Sequence, residues 1–244
     1  MTALLKISHL YKSYSQKQVL KEINLEVKKG EVVVILGPSG CGKSTLLRTI
    51  NGLEKIDSGS ILFKGEELNQ PKTDWTKIRG EIGMVFQSYD LFPNMTLLDN
   101  ILLGPLKVQK RARKEALQQI ELLLTRVGLL DRKDAYPREL SGGQKQRIAI
   151  VRALAMNPQL MLFDEVTASL DPEMVREVLE TILELAASGM TMLIVTHELN
   201  FARKVADKII FMEEGEILEI TDPKTFFTQP QSERAQQFLT IFDF

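Results

Sequence analysis

What this sequence has little of narrows it first. Its 244 residues contain a single cysteine, Cys41. That excludes an internal disulfide and any metal site built from several cysteines. Long apolar runs are missing too. The longest are short, such as Val32 to Leu36, and none approaches the roughly 20 residues that cross a bilayer. The start, Met-Thr-Ala-Leu-Leu-Lys-Ile, lacks a basic segment followed by a long apolar one. A secretory signal is not expected. Nor is there an excess of one charge. The formal net charge is −1, which gives no general pull toward nucleic acid or an anionic membrane. What is present is 44% apolar residues, enough for a folded core, as one domain or as a main lobe with a smaller insert. A reducing cytosol fits these features.

Patterning then gives organisation. Ile23, Leu25 and Val27 alternate with polar residues, as in a strand with one wet face. Val32 to Leu36 is continuous and β-branched and runs into glycines, which predicts a strand buried on both faces. Ile82–Phe86, Leu160–Phe163 and Met192–Val195 repeat that pattern. Helical stretches separate these runs, so the chain is predicted to be α/β with a mainly parallel sheet. From about residue 88 to 155 strand pattern is scarce. Ala116, Leu117, Ile120, Leu123, Leu124 and Val127 recur at helical spacing. This reads as a helical insert, 88–155, in a core formed by 1–87 and 156–244. Residues 215–244 suggest a final hairpin and short helices.

The chemistry starts at Gly37, Pro38, Ser39, Gly40, Cys41, Gly42, Lys43 and Ser44. They match G-x-x-x-x-G-K-S/T between a buried strand and a predicted helix. Glycines let the backbone turn several N–H groups toward phosphate oxygens. The helix start adds its positive dipole end. Lys43 suits the β- and γ-phosphates, Ser44 suits Mg²⁺, and Thr45 continues the cradle. Alone, this loop says only nucleoside triphosphate.

Two further motifs narrow it. Leu160–Phe163 runs into Asp164 and Glu165. Asp164, at a strand's carboxyl end, can hold Mg²⁺ through water, and Glu165 can polarise an attacking water. Leu140, Ser141, Gly142, Gly143 and Gln144 precede a helical segment and form another anion-binding end. A second cradle makes sense if two copies lie head-to-tail, each capping the γ-phosphate that the other holds.

With Gln87, Asp171 and His197, these segments resemble the ordered motif set of ABC ATPases, and the resemblance runs along essentially the whole chain. It implies the P-loop ABC-ATPase fold, with an N-terminal antiparallel β subdomain and an inserted helical subdomain. It implies ATP and Mg²⁺, the metal held by Ser44, Gln87 and Asp164. Gln87 is similar to the glutamine that senses Mg²⁺ and the γ-phosphate. His197 is similar to the switch histidine that contacts the γ-phosphate and orients Glu165. Tyr14 is similar to the aromatic that stacks on adenine, with Tyr11 a substitute. Asp171, with Ser141, Gly142, Gly143 and Gln144, is implied to act across the dimer. Catalysis falls to Glu165, His197, Gln87 and Lys43. The chain departs from the family where Val166 replaces a proline and Ala168-Ser169 replaces serine then alanine.

Phe92–Asn100, Tyr136-Pro137, Gly189–Met192 and Thr196–Arg203 are similar to the polar amino acid uptake branch. So is the tail Pro223–Pro230 with Ser232–Arg234 and Phe238-Leu239. That implies an ATPase homodimer at the cytoplasmic face of the membrane, with integral permease subunits, an extracytoplasmic amino-acid-binding protein and no nucleic acid. Methionine import, lipoprotein release or export, and a non-transport ATP-switched module remain open. The basic run Lys107, Lys110, Arg111, Arg113 and Lys114 reads as a solvated face, His9 as a surface residue and Trp75 as packing. Cys41, beside the nucleotide, is expected to make the site sensitive to bulky thiol reagents.

Overall fold

The computed structural model describes residues 3–242. Met1 and Thr2 of the expected start, and Asp243 and Phe244 of the expected core, lie outside the described residues. In chain order the strands and helices are β1 (Ala3–Tyr14), β2 (Lys17–Lys28), β3 (Val32–Leu36), α1 (Lys43–Ile50), β4 (Ser58–Phe63), β5 (Glu66–Glu67), α2 (Trp75–Glu81) and β6 (Ile82–Val85). Then come α3 (Leu97–Lys107), α4 (Arg113–Arg126), α5 (Gly142–Leu154), β7 (Leu160–Asp164), α6 (Pro172–Ala187) and β8 (Thr191–Val195). The chain ends with α7 (Leu199–Val205), β9 (Lys208–Glu213), β10 (Glu216–Thr221), α8 (Pro223–Thr228) and α9 (Glu233–Thr240). They form two compact units, Met1–Trp75 with Gly189–Phe244, and Thr76–Ser188.

The first unit holds an antiparallel sheet in the order β2-β1-β4-β5. Ile23, Leu25 and Val27 are buried while their neighbours in β2 are not, as the alternation predicts. The same unit holds strands in the order β10-β9-β3-β8. β3 runs parallel to both β8 and β9, and β10 returns antiparallel to β9. Every residue of β3 and of β8 is buried, the environment that continuous β-branched runs require. The final hairpin begins before the 215–244 range expected for it: it pairs β9 with β10, turning at Glu214 (φ 48°) and Gly215 (φ 84°), a pair of left-handed residues suited to a two-residue turn. His9 is exposed and hydrogen-bonds through its ring to Glu22, so its surface reading holds. Trp75 packs on Gly52, where a Cβ would stand 2.3 Å from the indole.

The tail is fixed by packing and by one buried charge. Phe211 lies 6.0 Å from Phe226 and 5.2 Å from Phe238, ring centre to ring centre. The Glu219 carboxylate is buried and accepts the backbone N–H groups of Gln231 and Ser232 at 3.0–3.1 Å. It thereby meets donors at the start of α9, where negative charge is favourable.

In the second unit β6 runs parallel to β7. Helices α3, α4 and α5 enclose an apolar cluster that includes Leu97, Ile101, Ala116, Ile120, Leu124, Val127, Ile148 and Val151. Each large side chain removed from water there contributes about 1.5–3 kcal/mol. Leu123 packs half-buried at its edge, and Leu117 is half-buried. Asn100 is fully buried at the start of α3. Its amide donates to the carbonyls of Phe92, Met95 and Thr96, and its oxygen accepts the Phe92 N–H at 2.8 Å. One side chain thus holds the loop leading into the helix. In the basic run, Lys107, Lys110, Arg113 and Lys114 are exposed, while Arg111 is not free in solvent: it donates to the Ala155 carbonyl at 3.1 Å.

Candidate functional site

In the first unit, β3 and β8 lie side by side with Ile35 opposite Val195. The loop after β3 and His197 after β8 therefore leave the same ends of neighbouring strands, where ligands gather in α/β sheets. The loop is shaped by its glycines. Gly37 has φ +147°, and a Cβ there would stand 2.0 Å from the Met212 carbonyl oxygen. Gly42 has φ +107° and closes on the Val19 carbonyl in the same way, at 2.8 Å. Gly40, at φ +79°, faces open space. The β9–β10 turn props the loop from behind, with the Gly215 N–H donating to the Cys41 carbonyl at 3.1 Å.

Lys43 begins α1 and is buried, its ammonium donating to the Gly37 and Pro38 carbonyls at 2.9 Å each. Those acceptors are neutral. A buried cation held only by dipoles is costly, and an anionic ligand relieves that cost. The loop therefore passes a chemical test for phosphate: a backbone cradle that side chains would fill, a helix start behind it, and a buried ammonium. Ser44 and Thr45 follow in the first turn, both half-buried. Ser39 is exposed and Pro38 half-buried.

Cys41 is buried, and burial pushes its thiol up, with the Lys43 charge opposing. The thiol inside this loop is thus shielded, which blunts the expected sensitivity to bulky reagents. Tyr14 ends β1 with 41% of its surface exposed, leaving ring area for stacking. The Lys12 ammonium lies 4.8 Å from the ring centre. Partial burial, then a hydrogen bond to Glu54, raises the Tyr14 phenol above its ordinary value, while a hydrogen bond with Thr45 opposes this. Tyr11 instead donates its hydroxyl to Glu22.

In the second unit, Val85 of β6 lies opposite Phe163 of β7. Gln87 thus emerges beside Asp164 and Glu165, at the carboxyl ends of adjacent parallel strands. Asp164 is buried and Gln87 exposed. Glu165 stands at φ 47°, a left-handed backbone that costs a non-glycine residue about 1–3 kcal/mol and concentrates at functional sites. The turn after it closes without proline: the Ala168 N–H donates to the Glu165 carbonyl at 3.1 Å, and Leu170 to Thr167 at 3.2 Å. Val166 is buried, and Ala168 and Ser169 are exposed. Asp171, exposed, is the N-cap residue of α6.

Ser141 caps α5 in a reciprocal box. Its hydroxyl oxygen accepts the Gln144 N–H at 3.3 Å, and the Gln144 side-chain oxygen accepts the Ser141 N–H at 3.0 Å. Each acceptor is used on the backbone, so the Ser141 hydroxyl proton and the Gln144 amide N–H groups are left to donate. Gly143 has little room for a side chain, while Gly142 faces only the ends of movable side chains. A Cβ on Gly142 would meet Tyr89 Oη and Leu170 at 2.8 Å, and one on Gly143 would meet Met174 Cβ at 2.9 Å.

Two residues of this unit escaped sequence reasoning. Gln146, fully buried, donates to the Phe86 carbonyl at 3.0 Å, and Arg152 donates to the carbonyls of Tyr89 and Asp90 at 3.2 and 2.6 Å. The sequence signal was slight: both are polar residues near the buried Ile148, Ala149, Ile150, Val151 and Leu154, but so are Lys145 and Arg147 of the same helix.

The family model described as ABC transporter matches residues 20–168. The glutamate transport ATP-binding protein GluA of Corynebacterium efficiens is 54% identical over 236 residues, covering 97% of this chain and 98% of that protein. The arginine transport ATP-binding protein ArtM of Bacillus subtilis is 52% identical, with the same coverage of 97% and 98%. A solved dimeric ATP-binding cassette in a post-hydrolysis state, bound to ADP and Pi, is 35% identical with a TM-score of 0.81, covering 90% of this chain and 98% of that one.

Proposed function

This chain belongs to the ABC transporter family, as an ATP-binding subunit that hydrolyses ATP, and from that premise we propose that it energises uptake of a polar amino acid as a head-to-tail homodimer. The observation that carries the nucleotide half of this reading is the buried Lys43 ammonium in its glycine-shaped loop. The amino acid half rests on relatives named for glutamate and arginine transport. Permease subunits, an extracytoplasmic binding protein and the cytoplasmic face of the membrane complete the proposal. Among the described residues no helix is long and apolar enough to cross a membrane, in keeping with a separate permease.

The roles follow from the chemistry of each side chain. Backbone N–H groups of Ser39–Ser44 and the Lys43 ammonium bind the β- and γ-phosphates. Tyr14 offers its ring to the adenine. Ser44, Asp164 and Gln87 would hold Mg²⁺. Among the described residues no cluster of three or more His, Cys, Asp or Glu could cage a metal alone, and Mg²⁺ commonly takes a few protein ligands, waters and phosphate oxygens instead. When bound, the ion neutralises charge developing on the transferred phosphoryl group. Glu165 accepts or orients the proton of the attacking water, and His197 contacts the γ-phosphate. The Ser141 hydroxyl and Gln144 amide, left as donors by their capping box, bind the γ-phosphate held by the other copy, and Asp171 contacts that copy. Closure binds nucleotide better than the open pair does, which drives the cycle.

The test is reconstitution with the co-purified permease subunits. Mg-ATP should drive uptake of at least one of glutamate, glutamine, aspartate or arginine, and Lys43→Ala should abolish it. Uptake that survives Lys43→Ala, or ATP turnover that moves none of these amino acids, would overturn the reading.

A further inference from the structure

The β9–β10 turn that props the phosphate loop is itself held from two sides. On one side the Lys21 N–H of β2 donates to the Gly215 carbonyl at 2.8 Å, and the Lys21 ammonium pairs with Glu216 at 3.4 Å. On the other side stands α9. Its Arg234 guanidinium grips the Glu213 carboxylate with two donors, Nε to Oε2 at 2.7 Å and Nη2 to Oε1, the fork that makes such pairs strong. Nη1 of the same group donates to Gln237 Oε1. Ser232 caps the helix by accepting the Ala235 N–H at 3.1 Å. Glu213 ends β9, directly after Met212, whose carbonyl oxygen crowds Gly37, and two residues before Gly215, whose N–H holds the Cys41 carbonyl. The tail segment Ser232–Arg234 thus reaches the phosphate loop through a single turn.

Charge adds to geometry here. The Glu213 side chain is 13% exposed and that of Arg234 55%. Glu213 and Gly215 share the lining of a cavity of about 380 Å³ with Pro38, Ser39, Gly40 and Cys41. The loop feels that carboxylate: burial is the main cause that raises the Cys41 thiol, the Lys43 charge opposes it, and the Glu213 charge adds to the rise. Hydrogen bonding to Arg234 in turn holds the Glu213 carboxyl below its ordinary value. An anion beside a loop built for phosphate repels the ligand. The Arg234 cation cancels most of that repulsion at its source. With the cation removed, a poorly hydrated carboxylate would be left beside the loop.

We propose that Arg234 is a positioning residue for nucleotide binding: it fixes the turn behind the phosphate loop and neutralises the Glu213 carboxylate, which would otherwise oppose the triphosphate. The idea rests on the Gly37–Ser44 loop holding the phosphates, as proposed above.

Titration calorimetry of the full chain with ATP and with ADP tests it, in EDTA so that no nucleotide is hydrolysed. Arg234→Met should raise the Kd for ATP by roughly 3- to 10-fold. The rise for ADP should be smaller, because ADP carries less negative charge. Adding Glu213→Gln removes the uncompensated charge and should return the Kd for ATP to within about twofold of the native value. Arg234→Lys, which keeps the charge but not the fork, should lose less than Arg234→Met. A clasp that served only the fold would not separate ATP from ADP. An unchanged Kd in Arg234→Met, equal losses for the two nucleotides, or no recovery with Glu213→Gln would overturn the proposal while leaving the phosphate loop's role intact. If Lys43→Ala leaves the Kd for ATP unchanged, the loop reading itself fails and the proposal falls with it. Should Arg234→Met not fold, Arg234→Gln carries the same cycle.

Discussion

Cys41 illustrates how backbone surroundings set the chemistry of one side chain. It sits in a loop whose glycines bring other backbone within contact, and burial raises its thiol above the ordinary value. The thiolate is the reactive form, so native chain should be alkylated by iodoacetamide more slowly than urea-unfolded chain near pH 8. The gap should narrow as pH rises. The sign of the linked stability follows. The folded state disfavours the thiolate, so this contribution is intact below the ordinary thiol pKa and is lost as pH climbs through the raised folded value. Mass spectrometry of the labelled fraction checks the rates. Equal rates in native and unfolded chain would contradict the shielding. At this scale the sequence was informative where a motif fixed spacing, as at Lys43 and Ser44. It was silent on the left-handed backbone of Glu165, because no residue type announces a strained φ.

Among the elements, α5 has the most to hold. Its first turn is keyed to α6 through Gly143, whose N–H donates to Met174 Sδ at 3.4 Å and whose missing Cβ leaves room for the Met174 side chain. Gly143→Ala should therefore cost about 1–3 kcal/mol in urea unfolding through overpacking. Pairing it with Met174→Ala should return part of that loss. Full additivity of the two changes would argue against contact at this point. Strands β3, β7 and β8 were legible because they are buried on both faces and run apolar without interruption. Strands β1, β4 and β5 were not read. β1 pairs with irregular register, which scrambles its alternation, and β5 is Glu66–Glu67 alone. The contacts of Gln146 and Arg152 were hidden for a related reason. Their partners, Phe86 and Tyr89-Asp90, lie about 60 residues away in sequence, and periodicity reports only local neighbours.

For the molecule as a whole, the motif order was the legible part. A phosphate loop, a glutamine, a capped glycine turn, paired acids and a histidine in sequence identified the family before any coordinate did. The order cannot say which copy of the chain serves which nucleotide. That is the central claim: the Ser141–Gln144 turn of one copy closes the phosphate site of the other. Sedimentation of Glu165→Gln in saturating Mg-ATP tests it most directly. The account predicts a dimer that retains ATP, with hydrolysis reduced by roughly 100-fold or more, and a return to monomer when Ser141→Ala and Gly143→Asp are added. A Glu165→Gln chain that stays monomeric, or a dimer indifferent to changes in that turn, would contradict it.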